Sequence, residues 1–169
     1  MRPGDVVLTP ASGGFGNIVS TVTWSRYSHV SLVVDHDGTT ISANRSGAEW
    51  DGIYEGDVVV SPPLSDVQRD LIHRAAVPLI GTPYGYRDVV ALGLARMGFT
   101  SASLARQVER PDRLFCSQLV DLIWRRVGFH AFDDGRLPQA VTPGDIADLA
   151  LRKGWDPVDL SDWEIVYTP

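Results

Sequence analysis

The chain is poor in cysteine, in clustered positive charge and in long apolar runs. It has one cysteine, Cys116, in 169 residues. One thiol closes no internal disulfide, so the fold does not depend on an oxidising compartment. Fifteen Lys and Arg stand against 21 Asp and Glu, for a net charge of −6. The basic residues are scattered, and a phosphate-binding surface needs them clustered, so nucleic acid is excluded as the main partner. The basic cluster Arg125-Arg126 falls within a predicted helix and reads as a solvated face. No apolar stretch approaches the roughly 18–20 residues of a membrane span, which excludes an integral membrane segment. The opening "MRPGDVVLTP" lacks the apolar core of a secretion signal, so the chain is expected in the cytoplasm as encoded, with export by a phage or specialised secretion system as the exception. No His pair has ligand spacing, and with a single cysteine neither a metal nor a cofactor is expected.

What remains is a chain with 44% hydrophobic residues and the length of one domain, 1–169. "GDVVLTP" (4–10) reads as a strand between Gly and Pro, and "ASGGFGN" (11–17) as a loop. "IVSTVTW" (18–24) is assigned to a helix. "SHVSLVV" (28–34), the turn "DHDG" (35–38) and "TTISAN" (39–44) form a hairpin. "DVVVSPP" (57–63) is a third strand, stopped by its prolines.

Helices follow. Ser65 and Gln68 have capping-box spacing, Leu64 is placed as a staple, and Val67, Leu71, Ala75 and Leu79 make one apolar stripe ended by Pro78 and Gly81. "YRDVVALGLARMG" (86–98) is assigned to a helix and 99–113 mostly to a loop. "CSQLVDLIWRRVG" (116–128) is a strong helix with Leu119, Val120, Ile123 and Val127 on its apolar face and Gly128 at its C-terminal cap. "TPGDIADLALRKG" (142–154) starts with Thr142 as N-cap, Pro143 and Asp145. "DWEIVYTP" (162–169) is read as a final strand. Strands followed by helices indicate an α+β fold with an antiparallel sheet.

Cys116 stands at the first turn of its helix. Unpaired N–H groups there favour a thiolate and are able to hold an oxyanion. A nucleophile needs a base, and four histidines are available. His36 lies in a turn, His73 lies off the helix stripe and His130 follows a helix end. His29 opens an apolar strand, where a polar residue needs a reason. If residues 34 and 39 flank the turn, 31 faces 42 and 29 faces 44, so Ser42 and Asn44 share the face of His29 and either is placed to orient its ring. Asn44 would accept the Nδ1–H bond.

The series "RPGDVVL", "SRYSHVSLVV", "GTPYGY" and "LFCSQLV…G", with "TPGDIAD" after it, resembles the circularly permuted branch of the NlpC-type papain-like superfamily. The match spans roughly residues 2–150, and the His-before-Cys order is that of the permuted branch. The resemblance implies a papain-like fold in which Cys116 is the nucleophile, His29 the general base and Tyr84 an oxyanion or substrate-side residue. The family's third polar residue falls on Ser42, where a Glu or His is usual. Asn44, or Glu49 reaching in from the following loop, are the alternatives. The expected activity is hydrolysis of an amide bond through an acyl-enzyme, on a peptide that includes cell-wall peptide. The alternatives are a lipid-directed acyltransferase or esterase acting on an acyl substrate, and a catalytically weak binding module.

Overall fold

A computed structural model describes residues 1–11, 26–85, 114–161 and 163. The helices expected at 18–24 and 86–98, the loop at 99–113 and nearly all of the strand expected at 162–169 lie outside these residues. Among the described residues the chain forms β1 (Val6–Pro10), β2 (Tyr27–Val33), β3 (Thr40–Asn44), β4 (Gly47–Asp51), β5 (Val58–Ser61), α1 (Asp66–Ala76), α2 (Cys116–Arg126), α3 (Pro143–Lys153) and the short β6 (Asp156–Pro157). The strands make one six-stranded antiparallel sheet in the order β4-β3-β2-β1-β5-β6. The α+β class with an antiparallel sheet is thus present.

Alternation along the strands divides the apolar residues between two faces. Val6, Leu8, Val30, Leu32, Ile41 and Ala43 join the main core with Leu119, Val120, Ile123 and Trp124 of α2 and Ile146 of α3. Each large side chain buried here contributes roughly 1.5–3 kcal/mol. Val7, Val33, Val59 and Ile53 form a smaller cluster on the other face. Trp124 is fully buried, donates its indole N–H to the carbonyl of Gly4 at 3.3 Å, and meets Phe129 and Trp155 edge-on. It therefore pins α2 to the start of β1.

Two expectations are corrected. Only the C-terminal part of the stripe assigned to α1 is buried: Ala75 packs on the core and Leu79, just past the helix, belongs to it, but Val67 and Leu71 do not. Val67 is 70% exposed and Leu71 38%, while Ile72, Ala76 and Arg69 are buried. Arg69 turns the helix. Its guanidinium sits 2.8 Å from Asp5 and also donates to the carbonyls of Pro3 and Pro62, a fixed set of partners on the opposite side from Val67. The second correction is that the loop expected after β3 is the strand β4: it pairs with β3 along its whole length, with Glu49 opposite Ser42. The helix caps form as expected. Ser65 with Gln68 and Thr142 with Asp145 close capping boxes.

Candidate active site

The hydrogen-bonding direction of β2 positions the site. Val34 donates to Thr39 and Val33 to Asp5, so even-numbered N–H groups of β2 face β3 and odd-numbered ones face β1. The β2–β3 ladder pairs Val33 with Thr40 and Leu32 with Ile41 and goes no further, although β3 continues to Asn44. The N–H of Val30 thus points towards β3 where pairing has stopped. That N–H is among the groups that favour a charged sulfur on Cys116, so the thiol lies close to it. The first residue of α2 therefore reaches the opening between the two strands, one residue along from His29.

His29 spans the same opening from β2. Its Nε2 lies 2.7 Å from Oγ of Ser42 on β3. The Ser42 hydroxyl donates to Oδ1 of Asn44 at 3.3 Å. The Asn44 amide donates to Glu49 at 3.0 Å and to Asp51 at 3.3 Å, both on β4. Tyr54 donates its phenol to Asp51 at 2.5 Å, and this bond, first among several causes, pushes the phenol up to about 12. A continuous polar chain thus runs from His29 across two strands to a pair of carboxylates. Ser42 makes the direct contact with the ring, through Nε2 rather than Nδ1. Asn44 stands one step behind, and Glu49 reaches Asn44 from a strand. Asp51 and Tyr54 went unnoticed in the sequence. The period-two spacing of Ser42 and Asn44 on β3 and of Glu49 and Asp51 on β4 was the signal available.

Tyr84 is held next to the start of the Cys116 segment. It bridges to Leu114, and Gly85 and Leu114 exchange backbone bonds with Leu114 and Pro83 at 2.9 and 3.0 Å. "GTPYGY" therefore runs beside the residues that lead into Cys116, and Tyr84 packs on the main core. His36 and His130 are exposed. His73, exposed on α1, bonds Asp35 at 2.9 Å and stacks on Trp50. Arg125 is held between Asp121 and the carbonyl of Arg136, and Arg126 bonds the carbonyl of Ala75, so this pair is tied into the protein rather than simply solvated.

Burial governs the charges. Cys116 is only 4% exposed, and desolvation pushes its thiol up to about 11 against the N–H groups of Val30, Ser117 and Cys116 itself. The helix start that was expected to favour a thiolate is outweighed. Desolvation also lowers the His29 imidazole to about 4, opposed by the negative charge of Asp51. At neutral pH the site holds a thiol and a neutral ring. Among the described hydrogen bonds none joins these two side chains directly. Among the described residues no group of three or more His, Cys, Asp or Glu is arranged to hold a metal ion.

These elements define an α+β protein whose lone cysteine opens a helix against the strand that carries its site histidine. No family model and no curated protein matches the chain. Among solved structures it is similar to the crystal structure of the metalloprotein yiiX from Escherichia coli O157:H7, DUF1105, with a TM-score of 0.54 and 18% identity over 90% of this chain and 82% of that one. At that identity the likeness concerns the fold alone.

Proposed function

We propose that the protein is a papain-like cysteine hydrolase that cleaves an amide bond, with a peptide as its substrate class. The observation that carries this reading is the opening between β2 and β3, spanned by His29 anchored on Ser42, with Cys116 at the start of α2 close to the Val30 N–H that faces it. Because both groups rest neutral, the thiol proton passes to His29 as the sulfur bonds to the carbonyl carbon, rather than beforehand. The imidazolium then gives the proton to the leaving amine, and water resolves the acyl-enzyme. Asp51, whose charge raises the affinity of His29 for a proton, supports the cation formed on the way. The N–H groups at the start of α2 and Tyr84 are the candidates to bind the oxyanion.

A second reading replaces the peptide with a lipid acyl ester. It is favoured by an apolar cavity of about 270 Å³ on the helix side of the sheet, lined among others by Leu8, Tyr27, Val60, Ala147 and Trp155. Tyr27 is two residues from His29, and Leu8 pairs with Val30.

The test is reaction with an electrophilic thiol probe. Cys116→Ala is expected to abolish labelling, and His29→Ala to slow it by ~100-fold or more, the usual contribution of a general base. Equal labelling rates with and without His29 would remove the dyad and leave the binding-module reading. Among p-nitrophenyl esters, a steep gain in rate with acyl length would select the lipid substrate over the peptide.

A further inference from the structure

The amide of Asn44 has a fixed orientation. Its Nδ2 group donates to two carboxylates, Glu49 and Asp51. Ionised carboxylates only accept, so turning the amide over would set Oδ1 against two anions. Oδ1 therefore faces Ser42 and accepts its hydroxyl. A serine hydroxyl has one hydrogen to give. With that hydrogen committed to Asn44, Ser42 presents a lone pair to His29, 2.7 Å away. Nε2 must then be the donor. A neutral imidazole carries one N–H, which leaves Nδ1 unprotonated.

We propose that Asn44, locked by Glu49 and Asp51, is a positioning residue that sets the tautomer of His29 through Ser42, holding the hydrogen on Nε2 and leaving Nδ1 as the basic nitrogen. The assignment deepens the proposed function, and it rests on that reading only for its use: the Cys116 S–H bond breaks, an Nδ1–H bond forms, and the sulfur keeps the electron pair for attack. Ser42 replaces a direct carboxylate partner with a relay. The negative charge stands two hydrogen bonds back, on Glu49 and Asp51. The ring is thus oriented by a neutral hydroxyl whose own direction is dictated by the anions behind it.

Long-range 1H–15N correlation spectra of uniformly 15N-labelled full-length protein near pH 7 read the tautomer directly, with His29→Gln assigning the ring signals. In the wild type the His29 ring is expected as Nε2–H with an unprotonated Nδ1. In Asn44→Ala the Ser42 hydroxyl is released to donate to Nε2, so the Nδ1–H tautomer becomes populated. Ser42→Ala also loses the bias, and a serine-to-alanine change in a packed site preserves the volume. Iodoacetamide labelling of Cys116 is expected to slow ~10-fold in both variants, a fraction of the loss from removing the base. A wild-type ring protonated on Nδ1, or an unchanged Nε2–H tautomer in Ser42→Ala, overturns the assignment, and either result stands if Asn44→Ala does not fold. If the spectra behave as expected but labelling is indifferent to His29→Ala, the hydrolase reading fails while the tautomer assignment survives.

Discussion

Ser42, Asn44 and Arg69 separate what single residues disclose from what only their surroundings disclose. Cys116 and His29 were legible because a lone thiol at a helix start and a histidine opening an apolar strand both stand out locally. The hairpin arithmetic was sound: Leu32 with Ile41 and Val33 with Thr40 keep the register that sets 31 against 42. It put both Ser42 and Asn44 on the face of His29, with Asn44 directly opposite; the ring reaches diagonally to Ser42, because pairing stops before position 29 and the side chain crosses an open gap. Arg69 was invisible for a related reason: its partners Pro3, Asp5 and Pro62 are distant in sequence or lie in another element. That residue carries a prediction. The Arg69–Asp5 pair is buried on both sides, and removing the cation strands a buried carboxylate. Arg69→Ala is expected to lower stability by ~3–5 kcal/mol in urea unfolding. Arg69→Ala paired with Asp5→Ala should recover part of that loss, whereas equal losses would mean the ion pair is not what the helix face depends on.

At the scale of elements, the strong helices and the hairpin could be read from capping residues and alternation, and β4 could not. "GAEWD" contains Gly, Glu and Asp, which strands disfavour, and β-propensity yields to pairing context. β3 supplies that context, and β4 returns two carboxylates to the site. The same strand positions "GTPYGY". Ala48 and Thr82 are joined by an N–H bond to the Thr82 carbonyl at 2.9 Å, and Gly81 donates back to Ala48 at 2.8 Å. Gly47 makes this approach possible. It has φ of +117°, and a Cβ there would lie 2.7 Å from the Thr82 oxygen. Gly47→Ala therefore combines a strained backbone with a clash against another backbone, at a cost of about 1–3 kcal/mol. It should also shift the segment that leads to Tyr84. The expected result is lower thermal stability together with slower thiol labelling, while Gly56→Ala, at a positive φ with open space around it, lowers stability alone. Equal labelling rates in the two variants would disconnect β4 from the site.

Across the whole molecule, a buried thiol and a half-buried imidazole, both neutral, shape the response to pH. Unfolding returns His29 to its ordinary value of 6.5, while the folded ring takes up a proton only near about 4. Between these values the unfolded chain binds more protons, so this contribution is complete above pH 6.5 and is lost as pH falls towards 4. Cys116 acts at the other end. The unfolded thiol ionises near 9.0 and the folded one near about 11, so stability is lost as pH rises through that interval. Each limb is worth at most ~3 kcal/mol, because part of the denatured chain also shields these groups. The fold should therefore be most stable between about pH 6.5 and 9, a window set by the site itself. Urea midpoints measured from pH 4 to 11 would show both limbs in the wild type. His29→Gln should flatten the acid limb and leave the alkaline one, and Cys116→Ala should do the reverse. The slopes carry the test, because each substitution also changes the overall level. An acid limb equally steep without His29 would assign that loss to other groups, and the neutral imidazole would then have no thermodynamic signature in the fold.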